Sequence, residues 1–308
     1  MKQLNEQNWN NNILHRATLI TPGKGYMTTY DLNNGEILKK LKKEEDLSSL
    51  TQQKRYDEFI TELERKISLS KEITNPSIVV PKTIYRDKDG RIKGYTTRKI
   101  EEENLDTILK NIESIELYEN IFTTLIEKVK LLNKEGIILP DLGNTTNILY
   151  NPKNKKIHFI DYDGIQIKDS KIFSMSSILE QEKNPMLNST KYRKESLFTE
   201  NLDKLTLLVL YVYYTTGINI MYNLDQELSI IQLMNSYKLT EKTIIPEPNI
   251  FYDFFHTFGL EGTKLSELIQ IVFDQTKANQ YPDNAIKEIT QTHTLKKQLN
   301  DIRHFIKK

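Results

Sequence analysis

The hydrophobic pattern of this 308-residue chain changes character near residue 105. Before that point, short runs rich in β-branched and aromatic residues alternate with turn residues, which favours strands. After it, apolar residues recur every three or four positions, which favours helices. The polar stretch "EEEN" at 101–104 is the best place for a hinge. We therefore predict an α+β fold with a strand-rich first lobe, residues 1–100, and a mainly helical second lobe, residues 101–308.

Turn residues divide the first lobe into strands. The run "RATLITPGKGYMTTYDL" leads to Asn-Asn-Gly at 33–35, a hairpin signal, and then to "EILKKLKK". A second hairpin turns at Asp-Gly, 89–90. Between the two groups, Phe59, Leu63 and Ile67 recur at helical spacing. The first lobe is therefore predicted to be a five-stranded antiparallel sheet with one helix.

The second lobe contains two strong helix signals. Apolar residues recur from Leu117 to Leu132, and Gly136 supplies the expected C-terminal stop. The longest apolar run, "LTLLVLYVYY" at 205–214, is about half of what a bilayer span needs. We interpret it as a buried helix. Between these helices, "NILY", "NPKNKK" and "IHFID" predict two short strands joined by a turn.

Composition disfavours several kinds of function. The 43 basic and 42 acidic residues leave a net charge of +1, so the chain lacks the basic field of non-specific nucleic-acid binders, and no nucleic-acid partner is predicted. The absence of cysteine rules out disulfides, thiolate metal sites and a cysteine nucleophile. The N-terminus lacks the apolar core of a secretory signal. We expect a soluble, cytoplasmic protein with no membrane partner.

Two carboxylates directly follow apolar runs in residues 137–164, "IILPDLGNTTNILYNPKNKKIHFIDYDG". Asp141 and Asp161 each come after a segment that should be buried, and Asn147 lies between them. A buried charge is costly unless something pairs with it, which favours a bound cation or a proton in transfer. An aspartate after a strand is also often a turn or cap residue. The three polar side chains together favour a bound cation or a proton in transfer over that alternative.

The chain resembles the eukaryotic-like (bacterial-type) Ser/Thr protein kinases along nearly its whole length, as a divergent member. "KLLNKEGIILPDLGNTTNIL" resembles the catalytic loop H-R-D-x-x-x-x-N, and "IHFIDYDG" resembles the strand that leads into the metal-binding D-F-G triplet. "ITPGKGYMTTYDL" resembles a glycine-rich loop with Gly23 and Gly25, and "GEILKKL" resembles the strand of the phosphate-binding lysine, here Lys39. "TENLDKLTLLVLYVYYTTG" resembles the buried helix whose leading Asp203 holds the catalytic loop.

This resemblance implies a two-lobed protein-kinase-like fold and an ATP-dependent phosphotransferase. ATP and Mg²⁺ would be its cofactors, and a protein its substrate or partner. Asp141 would orient the attacking hydroxyl, while Asp161 and Asn147 would hold Mg²⁺ with oxygen ligands. Lys39 would bind the α- and β-phosphates. Asp163, by contrast, is interpreted as a turn residue and not as a second metal ligand.

The resemblance also implies further nucleotide contacts. The backbone amides of Gly23 and Gly25 would approach phosphates. Glu62 would be the helix carboxylate that holds Lys39, with Glu64 as the alternative. The hinge, Arg98 to Ile100, would offer backbone groups to adenine.

Several positions depart from the family pattern. Asn147 lies six residues after Asp141, where the family has five. Leu-Pro at 139–140 replaces the usual His-Arg, so phosphorylation of Ser174, Ser176, Ser177 or Thr190 is not expected to act as the usual on-switch. A gap-free count places Lys66, and not a glutamate, at the helix position that faces Lys39.

Three functions stay open at this point. An active protein kinase is favoured by the segment from Gly164 to Glu195, which could form a peptide-docking platform. A small-molecule kinase of the aminoglycoside or choline type is the second, because "PDLGNTTNIL" also resembles the "GDLHPGN" loop. The third is a pseudokinase that binds nucleotide or a partner, since fold alone does not imply function.

Overall fold

A computed structural model describes residues 2–3, 13–22, 25–47, 50–112, 114–172, 193–194, 197–216 and 282. The chain divides into two compact units. The first unit comprises residues 1–103 and 149–174, and the second comprises residues 104–148 and 175–308. Strands dominate the first unit and helices the described part of the second, so the protein is α+β.

A six-stranded sheet forms the centre of the first unit. Its strands are β1 (Lys2–Gln3), β2 (Thr18–Thr21), β3 (Met27–Asp31), β4 (Glu36–Leu41), β5 (Thr83–Arg86) and β6 (Ile92–Arg98). Their order is β1-β5-β6-β4-β3-β2, and β2 to β6 form the predicted five antiparallel strands. β1 adds a parallel edge strand beside β5. A two-residue polar strand has no alternating pattern, so the sequence gives no sign of it.

The two predicted hairpins are confirmed. Asn33 and Gly35 adopt positive φ angles of 56° and 83° between β3 and β4, and Gly90 adopts 82° between β5 and β6. These left-handed conformations suit glycine and asparagine. The turns therefore set the register of β3 with β4 and of β5 with β6.

The helix predicted between the two hairpins is present but divided. α1 (Leu50–Lys54) and α2 (Tyr56–Leu69) are separated by a turn at Arg55, where one helix was expected. α2 buries the predicted Phe59, Leu63 and Ile67, and Tyr26 stacks on Phe59 with ring centres 4.2 Å apart. The same face also buries Lys66, which the apolar pattern does not predict.

A second hairpin region completes the first unit. β9 (Ile148–Asn151) and β10 (Lys156–Phe159) are joined by a turn in which Lys155 has a φ of 55°, and β11 (Gln166–Ile167) follows. The backbone N–H of Phe159 donates to the Ser77 carbonyl at 2.7 Å, and the N–H of Val79 donates to the Phe159 carbonyl at 3.0 Å. These bonds fix the end of β10, two residues before Asp161.

Helices form most of the described second unit. They are α3 (Leu105–Asn111), α4 (Ile115–Lys134) and α5 (Glu200–Thr216). The short strands of this part of the sequence are β7 (Glu103–Asn104), β8 (Ile137–Ile138), β12 (Arg193–Lys194) and β13 (Leu197–Phe198). Asn104 caps α3 by accepting a bond from the Thr107 N–H, and Gly136, with a φ of 74°, follows α4 as predicted.

The apolar run of α5 is buried, as predicted. Residues 202–211 are all buried, Tyr213 and Tyr214 are half-buried, and Tyr211 meets Phe122 of α4 edge to face at 5.3 Å between ring centres. Among the described helices, none combines the length and the apolar character that a bilayer crossing requires. Packing of α5 against α4 thus accounts for the longest hydrophobic run in the sequence.

Candidate functional site

Lys39 lies on β4, with β3 on one side and β6 on the other. It stands opposite Thr29 of β3 and Tyr95 of β6. Because successive side chains of a strand point to opposite faces, Lys39 and Lys40 point away from each other. The Lys39 side chain is 12% exposed, although a lysine on a strand is usually solvated.

Two carboxylates of the first unit bind the ammonium group of Lys39. It forms an ion pair with Asp161 and another with Oδ1 of Asp163 at 2.7 Å. Residues 162–164 form a 3-10 turn after β10, and this turn brings both aspartates to the same place. The Tyr95 hydroxyl also donates to Oδ1 of Asp163, at 2.9 Å. Lys39 and Asp161, both predicted as site residues, are therefore in contact.

Gly94 of β6 allows the backbone of β4 to approach β6 closely. It stands opposite Lys40, and a Cβ atom built on it would be 2.5 Å from the Lys39 carbonyl oxygen. No side chain fits at that distance. In the sequence, Gly94 is one residue of the strand pattern "RIKGYTTRKI". Its role depends on which strand lies beside it, so the sequence gives no signal for it.

Lys66 of α2 is held by the same turn. Its ammonium group donates to the backbone carbonyl of Asp163 at 2.7 Å, and the Tyr162 hydroxyl donates to the Lys66 carbonyl at 2.7 Å. The predicted site did not include Asp163, Tyr95 or Lys66. The one usable signal was the gap-free count that placed Lys66 at this helix position.

Burial and charge shift the pKa values of this cluster. Burial alone would raise the pKa of Asp163, but the charge of Lys39 and the bonds from Lys39 and Tyr95 outweigh it, so that pKa lies below its ordinary value of 3.8. Burial lowers the pKa of Lys66 to about 8, against the attraction of Asp163 and Glu62. Burial also raises the pKa of Tyr95 well above 10, which keeps its hydroxyl protonated as a donor.

The two helix glutamates are engaged elsewhere. Glu62 accepts a bond from the Lys171 backbone N–H at 2.9 Å, and Glu64 accepts two bonds from the Arg86 guanidinium. Within the described residues, no ion pair joins either glutamate to Lys39. The resemblance implied that Glu62 would pair with Lys39, whereas in the structure Lys39 pairs with Asp161 and Asp163.

In the second unit, Asp141 and Asn147 are hydrogen-bonded to each other. The Asn147 side-chain amide donates to Oδ2 of Asp141 at 2.8 Å, and that of Asn144 donates to the same oxygen at 3.4 Å. The backbone N–H groups of Asn144 and Asn147 donate to the carbonyls of Asp141 and Asn144, each at 2.9 Å. These two consecutive tight turns accommodate the six-residue spacing, so the predicted pair meets despite the extra residue.

Asp203 fixes the chain just before this loop. Its carboxylate accepts from the Leu139 N–H at 3.0 and 3.2 Å and from the Asn133 side chain at 2.7 Å. The resemblance implied a contact of this kind for Asp203. Complete burial raises the pKa of Asp203 to about 7, and the bonds from Asn133 and Leu139 offset only part of that effect.

A second anchor for the loop was not predicted. The Thr145 hydroxyl bonds to the Tyr214 hydroxyl at 2.7 Å, and Tyr214 donates to Asp106 of α3 at 2.6 Å. Thr145 is buried. The loop from Asp141 to Asn147 is thus held to α3 and α5 within the second unit.

The remaining predicted site residues are placed as follows. Gly25 lies in a bend with no atom within 4 Å of an added Cβ. Arg98 ends β6 and donates to the Pro76 carbonyl at 3.1 Å, and Ile100 is half-buried beyond it. Gly23, the phosphorylation candidates Ser174, Ser176, Ser177 and Thr190, and Glu195 lie outside the described residues.

Asp161 and Asn147 each carry an oxygen atom of the kind that the resemblance implied for a magnesium ion. Such an ion takes one or two protein ligands and the rest from phosphate and water. In the part of the chain that is described, no three histidine, aspartate or glutamate side chains converge as a complete metal cage. Asp161 offers a carboxylate in the first unit. In the second, the amide nitrogen of Asn147 donates to Asp141, so Oδ1 is its atom for a metal.

Comparisons with known proteins add no family. The chain matches no protein-family model, and no curated protein is significantly similar to it.

Proposed function

We propose that the chain is an ATP- and Mg²⁺-dependent phosphotransferase with a two-lobed protein-kinase-like fold. It transfers the γ-phosphoryl group to a hydroxyl of a protein. The observation that supports this most directly is the strand-borne Lys39 in contact with Asp161, which ends the "IHFID" segment. Strand alternation alone would leave such a lysine solvated. Its use of ATP implies a cytoplasmic location.

In the first unit, Lys39 and Asp161 have complementary roles. Phosphoryl transfer depends on positioning and on neutralising negative charge more than on covalent chemistry. The Lys39 ammonium binds phosphate oxygens. Asp161 would hold Mg²⁺, whose positive charge would neutralise the phosphates. The Gly25 backbone and the segment from Arg98 to Ile100 line the rest of the nucleotide.

In the second unit, Asp141 orients the acceptor hydroxyl and takes its proton. The bond from the Asn147 amide nitrogen fixes the carboxylate of Asp141 and leaves the amide oxygen as the atom that would bind a metal. Asp203 and Thr145 hold the loop at both ends. Under this proposal, variants of Lys39 or Asp161 in the first unit and of Asp141 in the second should abolish the same reaction.

The first experiment measures ADP release and intact mass after incubation with ATP and Mg²⁺. Wild type should release ADP and gain phosphoryl-sized mass increments. Lys39→Met, Asp161→Asn and Asp141→Asn should each lose about 100-fold or more of the rate, the scale of losing one group that stabilises transition-state charge. Lys40→Met is the matched control, because Lys40 is the next residue of the same strand and points to the other face.

Other outcomes would contradict the proposal in distinct ways. Nucleotide binding without turnover would favour a pseudokinase, and an adenylyl-sized increment would indicate a different transfer. ADP release that requires an added small molecule would favour a small-molecule kinase. Equal rates for wild type and Asp161→Asn would remove the role of Asp161.

A further inference from the structure

We propose that Asp163, in place of a helix glutamate, is the carboxylate that positions Lys39 for the nucleotide. This inference rests on the proposed function. It assigns a role to the residue two positions after the predicted metal ligand. That residue lies in a turn, and turn chemistry alone would explain an aspartate there.

The hydrogen bonds of Asp163 suit it to hold Lys39, whereas Asp161 is the proposed metal ligand. Oδ1 of Asp163 accepts from both Lys39, at 2.7 Å, and Tyr95, at 2.9 Å. Its side chain is 15% exposed, against 22% for Asp161. A carboxylate that holds Mg²⁺ has fewer lone pairs left for an ammonium group. Since the proposed function commits Asp161 to the metal, Asp163 remains to hold Lys39.

Asp163 is itself fixed to α2. Lys66 donates to its backbone carbonyl, and Tyr162, its neighbour in the turn, donates to the carbonyl of Lys66. Two bonds thus tie one helix residue to two consecutive turn residues. α2 therefore contributes to the position of Lys39 indirectly, through the turn.

The charges agree with this arrangement. A glutamate on α2 facing Lys39 would supply the negative charge, but the buried helix residue near Lys39 is the cation Lys66. The buried Lys66 ammonium group and the largely buried Lys39 ammonium group need carboxylates close by, because an unpaired buried charge is strongly destabilising. Asp161 and Asp163 supply them. Glu62 bonds instead to the Lys171 N–H and to Arg65.

The kinetic test compares Asp163→Asn and Tyr95→Phe. Asp163→Asn should raise KM for ATP about tenfold, because the Lys39 ammonium loses its fixed position. Tyr95→Phe, which removes one donor and keeps every charge, should raise it two- to fivefold and guards against misfolding of the first variant. In a Lys39→Met background, neither change should raise KM further. Asp169→Asn, which removes a carboxylate paired with Arg65 of α2, is the matched control and should leave KM unchanged.

An unfolding cycle tests the pairing without any catalysis. Urea midpoints are measured for Lys39→Met, Asp163→Asn and the double variant, and again with Glu62→Gln in place of Asp163→Asn. The shifts should be non-additive for the pair with Asp163 and additive for the pair with Glu62. Coupling of Lys39 to Glu62 in the unfolding cycle would overturn the assignment of Asp163. Additive effects of Lys39→Met and Tyr95→Phe on KM would overturn it as well. In either case, ATP turnover by the wild type would leave the proposed function intact. Wild type that neither binds nor turns over ATP would overturn the proposed function, and the nucleotide role of Asp163 with it, whatever the cycle shows.

Discussion

At the scale of single residues, the first unit concentrates opposite charges in a poorly hydrated place. Lys39 and Lys66 supply two positive charges, and Asp161 and Asp163 supply two negative ones. Neutrality makes the cluster tolerable, since removing one partner leaves a buried charge uncompensated. In such a neutral cluster, a carboxylate that pairs with the Lys39 ammonium group can pair with a metal cation instead. Under the proposed function, that property suits a site that receives Mg²⁺ and phosphate together.

Gly25 provides a test at the residue scale. Its φ is not in the left-handed region, and an added Cβ would meet nothing within 4 Å, so the fold itself does not require glycine there. Gly25→Ala should therefore leave the urea midpoint unchanged. It should raise KM for ATP severalfold if the backbone approaches phosphate, because the methyl group would lie in the way. An unchanged KM would remove this loop from the nucleotide site.

The control for Gly25→Ala is Gly35→Ala. Gly35 has a φ of 83°, which an alanine adopts only with strain, and it belongs to a hairpin turn. This variant should lose about 1 kcal/mol of unfolding free energy with no change in KM. Gly25→Ala should therefore change KM alone, and Gly35→Ala should change stability alone.

At the scale of elements, the distance between β4 and β6 sets where Lys39 lies. Gly94 has no side chain, and the Lys39 carbonyl occupies the space that a Cβ would fill. The backbone of β4 is therefore close to β6 at Lys39 and Lys40. Lys39 stands opposite Tyr95 of β6, whose hydroxyl bonds to Asp163. A wider separation would move the ammonium group away from both carboxylates.

Gly94→Ala should therefore lower the unfolding free energy by about 2 kcal/mol, as overpacking of a fixed backbone does. Urea denaturation measures the loss. ATP affinity should fall as well, because Lys39 moves with β4. Lys93→Ala, at the exposed neighbouring position, is the control and should change stability by no more than about 0.5 kcal/mol. A Gly94→Ala protein as stable as wild type would show that β4 and β6 can separate freely.

At the scale of the whole molecule, local patterns predicted the elements but not several of the contacts between them. The hairpin turns at 33–35 and 89–90 and the helices α2, α4 and α5 follow from turn chemistry and apolar period, which a short window of sequence contains. The roles of Gly94, Asp163 and Lys66 depend on which strand or turn lies beside them. A turn aspartate and a buried ion-pairing aspartate are identical in a single sequence, so Asp163 was interpreted as a turn residue alone.

The second unit gives a prediction about the pH dependence of stability. Asp203 has a pKa of about 7 in the folded protein and an ordinary value of 3.8. The folded state thus binds this proton more tightly than the unfolded state does. The stabilising contribution is fully present below pH 3.8 and is lost as the pH rises to about 7. Between pH 5 and pH 8 the unfolding free energy should fall by about 2–3 kcal/mol from this group.

Asp203→Asn isolates this effect, since asparagine does not titrate and has the same shape. Glu200 and Lys204 of α5 act on Asp203 in opposite directions and are present in both proteins, as are Asn133 and the Leu139 N–H that face it. Lys66, with its pKa of about 8, contributes equally to the pH dependence of unfolding in wild type and in Asp203→Asn. Urea denaturation at pH 5 and pH 8 should show wild type losing about 2–3 kcal/mol more than Asp203→Asn. Equal losses would mean that the carboxylate is ionised throughout, with the bonds from Leu139 and Asn133 compensating its burial in full.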